Sequence, residues 1–160
     1  KKTVKFDHSH KSITSKLDFK TIQTKMDKYL GKWVMQTVEN FDEYMKTLGV
    51  GFVLRKAGAM ATTYYTIGEE DGKYFLSYKI AFKSGTVKFK FGEEFDEVTP
   101  DDRKVKSTFY LGDDGLLLQD QNGKPYNVKI KREIKEDGMM YETCTMEGND
   151  IQCLRTYKRQ

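Results

Sequence analysis

From about residue 62 to the end, apolar and polar residues alternate in short runs with a period near two. The segments 62–67, 73–78, 86–91, 104–111, 116–119, 126–134, 139–146 and 151–158 are rich in aromatic and β-branched residues. Each reads as a short strand, and an earlier one is expected over 32–38. Gly-containing turns separate several of them: Glu70-Asp71-Gly72, Ser84-Gly85, Asp113-Asp114-Gly115, Gln121-Asn122-Gly123, Asp137-Gly138 and Glu147-Gly148. One interruption has helical period: Phe41, Tyr44, Met45 and Leu48 fall at i, i+3, i+4 and i+7, with Asn40 placed to cap the start and Gly49 to end it. A second short helix is expected over 50–59. A meander of antiparallel strands with one helical hairpin near its start calls for closure into a barrel, which removes exposed strand edges.

Residues 1–28 break this pattern. They are polar, with Ile13, Leu17, Ile22 and Met26 spaced for an amphipathic helix over 14–28; a loose tail is the other reading. The expected organisation is a basic N-terminal extension, 1–28, followed by one β domain, 29–160. The charge supports that division. The extension holds eight lysines against three acids, whereas the remainder is close to neutral, so the net +4 comes from the extension. A folded part without its own positive charge argues against a nucleic-acid-binding face. No apolar run reaches the ~20 residues of a membrane helix. The chain begins with Lys1, and the basic extension leans toward a processed, secreted protein, with a cytoplasmic one as the alternative.

The chemistry-bearing residues exclude most enzyme classes. The two histidines, His8 and His10, both lie in the extension, so a Ser/His/Asp or Cys/His relay in the barrel is impossible. As a pair they supply at most two metal ligands. There is no P-loop, no dinucleotide-binding glycine fingerprint and no zinc spacing, and no cofactor is called for. Cys144 and Cys153 read either as two buried apolar thiols or as a disulfide across a hairpin.

Strand parity singles out two arginines. Val128, Ile130 and Arg132 share one face of their strand; Cys153, Arg155 and Tyr157 share one face of theirs. A guanidinium turned into a barrel is costly unless an anion or ordered water meets it, and its planar fork suits a carboxylate. Two arginines and a tyrosine converging inside a barrel would receive one carboxylate. Arginines pointing outward at strand ends would fit the same spacing, and periodicity leaves the two readings open.

Three segments carry a family resemblance. They are Gly31-Lys32-Trp33-Val34-Met35 with Asn40-Phe41-Asp42-Glu43-Tyr44-Met45-Lys46-Thr47-Leu48-Gly49-Val50-Gly51-Phe52; the run from Phe91-Gly92-Glu93-Glu94-Phe95-Asp96-Glu97-Val98 to Arg103-Lys104-Val105-Lys106-Ser107; and Cys153-Leu154-Arg155-Thr156-Tyr157. In order and content they resemble the fatty-acid-binding protein family of the calycin superfamily. The resemblance spans residues 29–160. It implies a ten-stranded antiparallel up-and-down β-barrel with a helix-turn-helix lid and a water-containing cavity for hydrophobic carboxylates. The family's carboxylate-binding residues fall on Arg155 and Tyr157, and its other arginine best matches Arg132. Extra residues before Asp137-Gly138 and near Asn149-Asp150 loosen that second match.

By the same resemblance Phe41, Tyr44, Met45 and Val50 would line the cavity from the helices, Phe82 would sit at the portal, and Asp101 and Arg103 would lie inside the barrel wall. Ordinary helix-to-barrel packing would account for part of the first three, and Trp33 reads as core. Lys46, Arg55 and Lys56 fall where some family members carry a nuclear-import patch; as basic residues on the lid they could equally steer it to anionic membranes. The expected function is reversible, non-enzymatic binding and transport of long-chain fatty acids or similar acids by a monomer. A retinoid-type acid binder of the same fold is one rival. An interaction protein, whose basic extension recruits a membrane or an acidic partner, is another.

Overall fold

The computed structural model describes residues 18–160. His8, His10 and the start of the extension lie outside the described residues. Ten antiparallel strands form one sheet, curled into a nearly closed barrel: β1 (Gly31–Glu39), β2 (Tyr64–Glu70), β3 (Lys73–Ile80), β4 (Lys83–Phe89), β5 (Phe95–Val98), β6 (Lys104–Leu111), β7 (Leu117–Asn122), β8 (Val128–Ile134), β9 (Met140–Met146) and β10 (Gln152–Arg159). Their order is β4-β3-β2-β1-β10-β9-β8-β7-β6-β5. Every neighbour is adjacent in sequence except β1 and β10, whose pairing closes the meander. The seam lies between β4 and β5. Aromatic rings bridge it: Phe89 of β4 stacks on Phe109 of β6 at 3.8 Å between centroids, and Phe109 lies 6.2 Å from Phe95 of β5.

Among the described residues three helices accompany the sheet: α1 (Phe19–Asp27), α2 (Phe41–Thr47) and α3 (Phe52–Met60). The Asp18 side chain caps α1 by accepting from the Thr21 N–H at 2.8 Å. The described end of the extension is helical, while Ile13, Leu17 and the first part of the helix expected over 14–28 lie outside the described residues. Met26 is fully buried and joins the core cluster that contains Tyr29, Trp33, Leu111, Leu117 and Met140. The Tyr29 hydroxyl lies 2.8 Å and 2.9 Å from the carbonyls of Gly115 and Arg132, sharing its proton between them, and accepts from the Leu117 N–H. One end of the barrel is thus plugged. Trp33 is core, as its sequence context suggested, with its indole N–H on the Tyr29 carbonyl at 2.8 Å.

Helices α2 and α3 form the lid at the other end. Gly49, at φ +83°, supplies the left-handed residue that ends α2. Asn40 does not cap with its side chain. It adopts a left-handed backbone itself (φ 59°), and its amide instead donates to the Gln152 carbonyl at 2.9 Å, tying α2 to β10. Gly58 lets the helices approach closely, because a Cβ there would come within 2.8 Å of the Phe41 ring. A second core cluster, Tyr44, Leu48, Val50, Val128, Cys144, Met146 and Cys153, lies under the lid.

Two turn expectations need correction. Ser84 and Gly85 lie inside β4, and the turn is at Ala81-Phe82. Strand β7 runs on to Asn122, so the Gln121-Asn122-Gly123 turn moves later. Strand β5 was not readable by alternation: it has four residues, two of them acidic, and sits at the sheet's edge beside β6 alone.

Candidate functional site

Between the two apolar clusters lies a layer of buried polar side chains: Ser107, Gln119, Gln121, Arg132 and Glu142. Inward parity and register together assemble it. Glu142 of β9 is the direct cross-strand partner of Arg132 on β8 and of Arg155 on β10. The three therefore form one row across three strands, positive, negative, positive. Arg132 Nε donates to Glu142 Oε2 at 2.8 Å, and Arg155 Nη1 donates to Glu142 Oε1 at 3.2 Å. The Tyr157 hydroxyl donates to Glu142 Oε1 at 3.2 Å, and the Tyr65 hydroxyl lies 3.2–3.3 Å from both carboxylate oxygens. The Tyr65 and Tyr157 rings stack at 4.8 Å. Arg132 also donates to Gln119 Oε1 at 3.2 Å and lies 5.9 Å from the centroids of Tyr65 and Phe109.

The electrostatics follow from burial and charge. Burial alone would raise the Glu142 carboxyl, but the guanidinia of Arg132 and Arg155 and the two tyrosine hydroxyls hold it below the usual carboxylate range. Glu142 is charged. Burial, reinforced by that carboxylate, pushes the Tyr65 phenol up to about 12 and the Tyr157 phenol well above its ordinary value, so both stay protonated donors.

A cavity of ≈ 690 Å³, counting the solvent open to it, extends from this row to the lid, lined by Tyr44, Met45, Tyr78, Arg103, Arg132 and Arg155 among others. A second space of ≈ 600 Å³ leads outward under α3 past Phe41, Val50, Phe82 and Pro100. Arg155 faces both spaces, and Phe41 from the lid covers it at 5.7 Å from ring centroid to guanidinium. Asp101 and Arg103 pair inside the wall at 2.6 Å, and Arg103 reaches Gln121 at 3.3 Å. At the rim, Lys83 binds the Pro100 carbonyl at 3.2 Å, joining the β3–β4 turn to the β5–β6 loop across the seam.

Of the ten residues singled out from the sequence, Arg132, Arg155 and Tyr157 lie at the ionic row, and Phe41, Tyr44, Met45, Val50, Phe82, Asp101 and Arg103 each line one or both of these two spaces. The basic residues of the lid are less uniform. Lys46 and Lys56 are exposed, whereas Arg55 is held by Asp42 at 3.1 Å and by the Val50 carbonyl at 2.8 Å. Cys144 and Cys153 face each other in register as free, buried thiols, and burial raises both. Sequence reasoning missed Glu142. The signal was present: Met140, Glu142, Cys144 and Met146 alternate onto the inward face, by the same parity that placed the arginines. It also missed Glu97 of β5, which accepts from Gln119 and Gln121 at 3.1 and 3.2 Å and from Ser107.

A family model for the lipocalin / cytosolic fatty-acid binding protein family matches residues 30–160. The chain belongs to this family. A squid protein (Doryteuthis pealeii) named sodium/calcium exchanger regulatory protein 1 is 40% identical over 129 residues, 81% of this chain and 94% of its own length. Rat (Rattus norvegicus) fatty acid-binding protein 12 is 38% identical over 135 residues, covering 84% of this chain and 98% of the relative. Among solved structures, the Schistosoma mansoni fatty acid binding protein in complex with arachidonic acid superposes with a TM-score of 0.79 at 36% identity, over 85% of this chain and 98% of that one. These family members are named for binding or for regulation.

Proposed function

We propose that the protein reversibly binds and carries long-chain fatty acids or closely similar lipids in the barrel cavity, with Arg155, Tyr157 and Arg132 as the polar end of the site. The observation that carries this reading is the inward-facing Arg132–Arg155–Tyr157 group at the foot of an apolar cavity reached from beneath a helical lid. The relatives' names and the arachidonic acid in the Schistosoma mansoni structure support it. The lipid tail gains about 0.8 kcal/mol per buried CH₂ before entropic losses. No chemical step is involved, and the working unit is a monomer. The family's description as cytosolic favours the cytoplasmic location over the secreted one.

The test is Arg155→Gln titrated with a fluorescent fatty acid. Losing a charged hydrogen-bond partner should weaken binding by about 1.5–3 kcal/mol. Unchanged affinity, with unchanged preference for acid over alcohol, would remove Arg155 from the anchor. A retinoid acid would meet the same three side chains, and competition between retinoic acid and oleate separates the two ligands.

The lid also presents a surface suited to transient contact with anionic membranes. Phe52, Val53 and Met60 of α3 and Phe82 of the portal turn are exposed, beside the cations Lys46 and Lys56. Lys46→Glu/Lys56→Glu should slow lipid transfer to phosphatidylserine vesicles while leaving transfer to neutral vesicles unchanged. Equal rates to both vesicle types in the wild-type protein would refute this contact.

A further inference from the structure

The polar end of the cavity is already occupied by an anion from the protein itself. Glu142 is 1% exposed and takes hydrogen bonds from Arg132, Arg155, Tyr65 and Tyr157, the donors that a ligand carboxylate would need. This is a consequence of register, since Glu142 lies directly between the two arginines across the sheet. The guanidinium and carboxyl side chains that line the inner cavity are Arg103, Arg132 and Arg155 against Glu97, Asp101 and Glu142, a balanced set. An added carboxylate upsets that balance and meets Glu142 as a like charge. A hydroxyl does not: it donates to a carboxylate and accepts from a guanidinium or phenol. Two buried polar atoms without a partner among the described residues, Tyr44 Oη and Arg103 Nη1, belong to residues lining the same cavity. Tyr44 is 3% exposed and uncharged, and burial keeps its phenol protonated.

Resting on the binding reading above, we infer that Glu142 is a specificity-determining residue: a built-in carboxylate that competes with acidic ligands for the arginine pair, so that the barrel takes long-chain lipids with an uncharged hydroxyl headgroup, of the fatty-alcohol or monoacylglycerol class, on terms close to those of free fatty acids. A free acid binds by displacing Glu142 from its donors. A lipid alcohol binds with Glu142 in place.

The experiment uses the delipidated full chain, with oleate and oleyl alcohol as probes followed by calorimetry. Wild type should bind the two within about tenfold of each other, a difference of about 1.4 kcal/mol or less. Glu142→Gln should bind oleate at least about tenfold more tightly, while oleyl alcohol, which loses a charged acceptor, should gain nothing. Oleate should also raise the melting temperature of Glu142→Gln more than that of wild type, because the ligand carboxylate replaces the one removed. Glu142→Asp, which keeps the charge but shortens its reach, should gain oleate affinity in the same direction. It serves if the glutamine variant does not fold. A wild-type preference for oleate above about a hundredfold would overturn the inference, as would a folded Glu142 variant with unchanged or weaker oleate binding. Wild type that binds neither lipid would overturn the binding reading itself and this inference with it. Wild type that binds both, with Glu142 variants unchanged, overturns the inference alone.

Discussion

The Arg132–Glu142 pair sets up a double-mutant cycle whose outcome the structure fixes in sign and in rough size. Their side chains are 3% and 1% exposed, so each charge has been taken almost wholly out of water. Breaking a buried ion pair by deleting one partner costs about 3–5 kcal/mol, because the remaining charge keeps its desolvation penalty without its counter-ion. The two single variants are not equivalent. Arg132→Met leaves Glu142 with Arg155 at 3.2 Å and with two tyrosine hydroxyls, which places its cost near the lower end, about 3 kcal/mol. Glu142→Leu leaves Arg132 with the neutral Gln119 oxygen and two ring faces, and leaves Arg155 without this counter-ion; its cost belongs near the upper end, about 5 kcal/mol. The double variant Arg132→Met/Glu142→Leu removes both desolvated charges and fills the space with apolar groups. It should be far more stable than the sum of the singles implies, with a coupling of about 3 kcal/mol or more, matching the restored counter-ion term. The assay is urea denaturation followed by the fluorescence of Trp33, the single tryptophan, which is fully buried. Single variants costing less than about 1 kcal/mol, or costs that add within about 0.5 kcal/mol, would refute the picture of a desolvated ionic row.

Two further predictions concern the same fold. Met26→Ala should destabilise the protein by about 2–5 kcal/mol in the same urea assay, because Met26 of α1 is fully buried in the cluster that plugs the barrel; a cost near zero would mean that α1 is dispensable. The second concerns acid. The Glu142 carboxyl sits below its ordinary value of 4.5 in the folded protein, so its contribution is present above about pH 4.5 and is lost as the pH falls from there through the depressed folded value. Urea midpoints of wild type should therefore drop on acidification from about pH 6 to about pH 3, and Glu142→Gln should show a shallower drop; parallel curves would show that Glu142 is not held charged in the fold.

Much of this architecture could be read from residue patterns because a half-buried strand prints its two faces in alternate positions. Alternation put Arg132 on the face of Val128 and Ile130 and Arg155 on that of Cys153 and Tyr157 but left open whether those arginines turn inward; the family resemblance favoured the inward reading. Strand β5 was not readable from such patterns, since its alternation covers four residues and one of its inward positions, Glu97, is an acid satisfied by Gln119, Gln121 and Ser107 on other strands. A rule that equates inward with apolar must miss such a strand. The β3–β4 turn was misplaced because Ser84-Gly85 reads as a turn signal, while the backbone reverses at Ala81-Phe82.

Glu142 marks the limit of single-strand parity. The pattern Met140, Glu142, Cys144, Met146 places it inside, yet parity alone cannot say what it meets there. That depends on the registers of β8–β9 and β9–β10, which are set by turns on both sides and by the closure of β1 onto β10. Once those registers are fixed, a glutamate that looks like a misplaced charge in one strand becomes the counter-ion of two arginines that looked like an open receptor in two others. The arginines are therefore compensated before any ligand arrives, and ligand choice turns on how firmly β9 holds that one carboxylate between its neighbours.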